Sequence, residues 1–150
     1  MNLMPFSRAI RAGALSVLMG ISASAMGAGA ARAYDLYDHN GSLMRLDERG
    51  GRVTIRYEEP KRSLYKHGVR PGTVLFEGRF QGRGLAGVAY VFRQGCQPAA
   101  YNVAGPAAGG GVIYLSGAAP IRAKGSCRVT GYSERSGNAR LVFEEFHGDY

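Results

Sequence analysis

The stretch FQGRGLAGVAYVF, residues 80–92, decides how the rest of this 150-residue chain is read. Gly82, Gly84 and Gly87 spell G-x-G-x-x-G, the spacing that lets a loop backbone approach a dinucleotide pyrophosphate. Such a loop needs a helix opening at its third glycine and an acidic residue about 20 positions further on to hold the ribose. Here GVAYVF follows, β-branched and aromatic, and no Asp or Glu occurs from residue 78 to residue 133. The glycines therefore serve a turn. Gly82-Arg83-Gly84 joins two strands, and Gly87 is a strand glycine at a bulge or a close contact. The chain is expected to bind no nucleotide and no other cofactor.

Working outward, the period stays at two. In TVLFEGRF, Val74, Phe76 and Phe80 alternate with Glu77 and Arg79, and in RVTIRYEE, Val53, Ile55 and Tyr57 alternate with Arg52, Thr54, Arg56 and Glu58. Both are patterns of strands with one buried and one wet face. Between them, EPKRSLYKHGVRPG suits one short helix, with Pro60 at its first position, Gly68 closing it and Val69 packing back. Further short runs occur at AYNV, VIYLS, CRVTGY and ARLVFEEF, and GPAAGGG, residues 105–111, reads as an exposed loop. Seven or eight short strands with no long amphipathic helix predict an all-β domain. A small antiparallel β-barrel is the first choice, because closure protects strand edges, and a two-sheet sandwich is the alternative.

The first 33 residues read as a cleaved signal peptide. Arg8 and Arg11 precede the uncharged stretch AGALSVLMGISASAMGAGA, and Ala31-Arg32-Ala33 supplies an A-x-A cleavage pattern. The cut is expected between Ala33 and Tyr34, leaving no transmembrane anchor, since no later segment approaches the roughly 20 apolar residues of a spanning helix. The expected organisation is then a lead-in segment over 34–51, the β domain over 52–146 and a tail over 147–150. The only cysteines, Cys96 and Cys127, are expected to form a disulfide in an oxidising compartment.

Charge is distributed unevenly. The whole chain carries +8, and residues 60–133 hold ten basic residues against the single acid Glu77. Residues 34–59 and 134–150 are each net acidic. This asymmetry favours an anionic partner if folding gathers the cations on one face. Lys61, Arg62, Lys66 and Arg70 cluster around the short helix, and Arg79, Arg83 and Arg93 lie on the neighbouring hairpin. These seven are the candidate anion-binding residues, since arginine forks match carboxylate and phosphate. Arg122, Lys124 and Arg128 flank the second cysteine, and Tyr90, Tyr101 and Tyr132 offer rings for sugars.

Catalytic and metal-ligating patterns are absent from the sequence. Asp35, Asp38 and His39 are local, with no second cluster to complete a coordination sphere. Adjacent strand carboxylates such as Glu58-Glu59 point to opposite faces, and no serine sits in G-x-S-x-G. The expectation is an exported, non-catalytic binding or accessory protein of the cell envelope, periplasmic or secreted. Its basic face would recognise an anionic envelope polymer or glycan. An envelope-protein partner, as for an inhibitor or assembly accessory, is the alternative, and an enzyme is the third and least favoured reading. Export makes nucleic acid a poorer candidate. Across YDHNGSLMRLD, VTIRYEEP, GVRPGTVLFEGRF and CRVTGY the chain resembles small exported proteins of alpha-proteobacteria. That resemblance implies a periplasmic setting and no particular activity.

Overall fold

The computed structural model describes residues 34–107 and 111–148. The expected signal peptide and its cleavage point at Ala33 fall on, or border, residues outside that range. The hairpin at residues 74–91 forms as the sequence predicts. β4 (Val74–Gln81) and β5 (Gly84–Val91) pair antiparallel with Gln81 opposite Gly84, leaving Gly82-Arg83 as a two-residue turn. Gly82 adopts φ 59° there, a conformation that an L side chain resists. Inside the hairpin Gly78 faces Gly87. A Cβ on Gly87 would overlap the Glu77 carbonyl oxygen, and one on Gly78 would overlap the Ala86 carbonyl oxygen and the Phe76 ring. The glycine pair lets the two strands press together with Phe76 folded over them.

Eight strands continue this pattern into a closed antiparallel barrel. Its order around the ring is β1 (Asp35–His39), β2 (Ser42–Arg49), β3 (Arg52–Glu59), β4, β5, β6 (Ala99–Pro106), β7 (Val112–Ser116) and β10 (Arg140–Glu145), which returns to β1. The barrel, not the sandwich, is the architecture. A second, two-stranded sheet, β8 (Ala119–Arg122) with β9 (Val129–Ser133), is inserted between β7 and β10. Eight strands give an interior that side chains alone can fill. Met44, Leu46, Val53, Ile55, Phe76, Leu85, Val103, Ile113, Leu115, Leu141 and Phe143 fill it, each at most 5 % exposed. The alternate residues of the same strands face outward.

Up-and-down topology sorts the connections to two ends. The β1–β2 turn, the β3–β4 and β5–β6 loops and the β8–β9 insertion lie at what we term the upper end. The Gly50-Gly51 turn, the Gly82-Arg83 turn and the β6–β7 connection lie at the lower end, where β1 begins and β10 finishes. Arg62–His67 forms a 3-10 helix capped by Gly68 at φ 84°, and Val69 is fully buried behind it, as the sequence predicts. Leu64 packs on the same core from the helix.

Three sequence-based expectations need correction. Residues 34–51 are no loose lead-in, because they supply β1 and β2 and close the ring. Pro60 is not the first helical residue. It is buried at the end of β3, one position before Lys61, which occupies the N-cap. Gly105 and Pro106 belong to β6 and not to an exposed loop, and Gly105 is there because a Cβ would overlap the Tyr114 carbonyl oxygen.

Candidate anion-binding surface

Cys96 and Cys127 are joined, with their Cα atoms 5.3 Å apart. The bond ties the β5–β6 loop to the β8–β9 hairpin, two segments far apart in sequence that meet at the upper end. Two arginines brace the same junction from opposite sides. The Arg93 guanidinium donates to the Ala123 and Ser126 carbonyls at 3.3 and 3.0 Å, and Arg122 donates to the Gln97 carbonyl at 2.5 Å. Disulfides of this kind persist in oxidising compartments. Among the described residues, no helix is long and apolar enough to cross a membrane.

The seven candidate cations do not share one face. Lys61, Arg62 and Lys66 stand exposed around the 3-10 helix at the upper end. Arg70 lies beside them, but its guanidinium donates to the Tyr65 and Val69 carbonyls, both at 2.8 Å, and sits 4.9 Å above the Tyr65 ring. Arg93 is the brace described above. Arg79 and Arg83 are at the lower end, on β4 and in its turn. From Val74 to Arg79 a strand rises about 17 Å, so the two groups address different parts of the surface.

Sequence reasoning missed the arginines that the register brings together. Arg49 on β2 lies directly opposite Arg52 on β3, and Arg52 lies directly opposite Arg79 on β4. All three are exposed on the outer wall. Like charges facing one another across strands destabilise a sheet unless something neutralises them. The next arginines up the wall, Arg45 and Arg56, are neutralised: Asp47 lies 3.2 Å from the Arg45 Nε and 3.7 Å from the Arg56 Nε, and Glu58 lies 3.4 Å from Arg45. Arg49, Arg52 and Arg79 have no ion-pair partner among the described residues. Together with Thr54 and Gly72, four of the arginines and Asp47 line a depression of about 470 Å³ on β2 and β3. The strand alternation at RVTIRYEE carried the signal that Arg52 and Arg56 point outward, whereas SLMRLDER, with Ser42 inward and Leu43 outward, hid the same for Arg45 and Arg49. Their alignment with Arg79 required the pairing of three strands.

His39 has a structural environment. It is 7 % exposed, stacks on Phe143 with ring centroids 4.7 Å apart, and its Nδ1 donates to the Val142 carbonyl at 2.8 Å. The Asn40 amide donates to Nε2 at 3.3 Å. This arrangement needs the neutral ring. Burial lowers its pKa and outweighs the Val142 carbonyl and Asp38, which favour protonation. Of the three tyrosines considered for sugar contacts, Tyr101 is buried and donates its hydroxyl to the Asn138 carbonyl. Tyr90 donates to Glu77 at 3.1 Å, and Tyr132 is 59 % exposed. Among the described residues, no group of three or more His, Cys, Asp or Glu is placed to hold a metal.

The fold and surface define a small up-and-down β-barrel, stapled at one end and arginine-rich on one outer wall. Compared with protein-family models, curated proteins and solved structures, the chain matches none.

Proposed function

We propose that this is an exported, non-catalytic protein that binds an anionic polymer of the bacterial cell envelope through the outer wall of β2, β3 and β4. One observation carries the reading: among the described residues Arg49, Arg52 and Arg79 stand in a row without a carboxylate partner, although Asp47 and Glu58 pair with the arginines beside them. Guanidinium forks presented side by side bind carboxylate or phosphate groups. The disulfide supports a periplasmic or secreted setting. Lys61, Arg62 and Lys66 form a second, weaker basic site at the upper end.

The test is retention on an immobilised polyanion across a salt gradient. The wild-type chain should elute late and steeply with salt, because screening acts strongly on exposed charges. Replacing Arg49, Arg52 and Arg79 together with Ala should move elution to much lower salt, and replacing Lys61, Arg62 and Lys66 should move it less. Early elution of the wild type would remove the proposal. The alternative, an envelope-protein partner, draws on the exposed Tyr114, Ile121 and Tyr132. It requires one dominant protein in a pull-down, lost when Tyr114 and Tyr132 become Ala.

A further inference from the structure

The arginine row does not stop at β4. Arg79 lies opposite Ala86 on β5, Ala86 opposite Ala104 on β6, and Ala104 opposite Ser116 on β7. Ser116 lies opposite Arg140 on β10. One line of registered, outward-facing positions therefore crosses the strands from Arg49 to Arg140. It covers six of the eight inter-strand steps of the closed ring, about 29 Å measured along the curved wall at roughly 4.8 Å per step.

Its middle is a floor of small side chains. Ala86, Ala104 and Ser116 line a depression of about 450 Å³, with Gln81, Val88 and Asn102 on its sides. A neighbouring depression of about 410 Å³ continues from Val88 and Asn102 to the exposed Tyr132. At the far end Ser116 and Arg140 share a smaller hollow with Glu134. Glu77, a carboxylate beside the middle of the line, accepts the Tyr90 hydroxyl. Tyr90 lies further up β5 than Val88, so Glu77 is drawn away from Arg79.

We infer that this line is a track for a linear acidic glycan, a polysaccharide with one carboxylate per sugar, lying across the strands with its carboxylates on Arg49, Arg52 and Arg79 and its continuation over Ala86, Ala104 and Ser116. This rests on the anionic-polymer reading and specifies the polymer. A pyranose ring spans about one inter-strand spacing between its glycosidic oxygens, so a chain crossing the sheet passes about one strand per sugar, and the long arginine side chains reach carboxylates along either of its edges. Small side chains let sugar rings lie close to the sheet, and the Ser116 hydroxyl and Asn102 amide suit sugar hydroxyls. A single-stranded nucleic acid would need aromatic platforms under its bases, and the floor has none.

Titration of the full chain with a size series of oligogalacturonates at low salt tests this. Affinity should rise with length and level off at about six sugars, the number of inter-strand steps. Replacing Arg49, Arg52 and Arg79 with Ala should weaken every oligomer, by about two- to fivefold per arginine. Ala104→Trp, an exposed substitution that removes no charge, should weaken the hexamer and leave the trimer unchanged. Ser116→Trp provides the same block on a different strand. If the hexamer binds both tryptophan variants as it binds the wild type, the track is wrong, while retention through the arginines still stands. Tighter binding of an oligonucleotide or of polyphosphate than of the glycan would also overturn it. Absence of any polyanion binding by the wild type would remove both readings together.

Discussion

At the scale of single residues, two positions carry most of the risk. Gly87 is pressed against the Glu77 carbonyl and Gly78 across the β4–β5 hairpin. Gly87→Ala forces those backbones apart and should cost about 2–3 kcal/mol, read as a lower urea midpoint. His39 is the second. Its folded pKa is lowered, so the unfolded chain takes up a proton first as the pH falls. The contribution is fully present above about pH 6.5, the unperturbed histidine value, and is lost as pH drops from there through the lowered folded value. The stability of the wild type should therefore fall across that window more steeply than that of His39→Gln, measured by denaturant titration at several pH values. A parallel fall in both would mean that His39 is not the group responsible.

At the scale of elements, the upper-end junction is over-determined by a covalent bond and two reciprocal arginine contacts. Removing the disulfide with Cys96→Ser and Cys127→Ser should cost roughly 3–4 kcal/mol on chain-entropy grounds for a loop of this length. Arg93→Ala, which leaves two carbonyls without their donor, should cost about 1–2 kcal/mol in the same assay, the cost being moderated by partial exposure. The hairpin around Gly82, the alternating strands β3 and β4, and the Gly68 cap could all be read from local pattern. β1 and β2 could not. Ser42 faces inward and Leu43 outward in SLMRLDER, which blurs the alternation, and DLYDH places the amphipathic Tyr37 and His39 toward the interior. The arginine row was hidden for a different reason. Each member is unremarkable in its own strand, and only cross-strand register, a long-range property, sets Arg49, Arg52 and Arg79 side by side.

At the scale of the whole molecule, the two ends of the barrel interior differ. Toward the upper end the interior holds Tyr57, which meets Phe92 edge-on with centroids 6.2 Å apart, and Tyr101. Burial, joined at Tyr57 by the nearby Tyr101, pushes both phenols up to about 12. Each is a group with a raised folded pKa, so its contribution is complete below pH 10 and is lost as pH rises from 10 through about 12. Alkaline unfolding of Tyr101→Phe should accordingly depend less on pH over that range than unfolding of the wild type. The outer wall is equally uneven, with opposed arginines on β2 to β4 and an uncharged, small-residue surface on β5 and β6.

The ring closes where β1 meets β10, through two registered pairs, Tyr37 with Glu145 and Asp38 with Glu144, and a backbone bond from Phe146 to Leu36. Every other neighbouring pair except β6 with β7 has at least five registered positions. Residues 34 and 146 therefore sit beside each other at one end of the barrel. A circular permutant that links residue 148 to residue 34 with a short flexible peptide, and opens the chain at Gly50-Gly51, would turn this thin junction into an ordinary hairpin. It would leave the sulfur bridge intact, and its new ends would flank Arg49 and Arg52 at the head of the surface track.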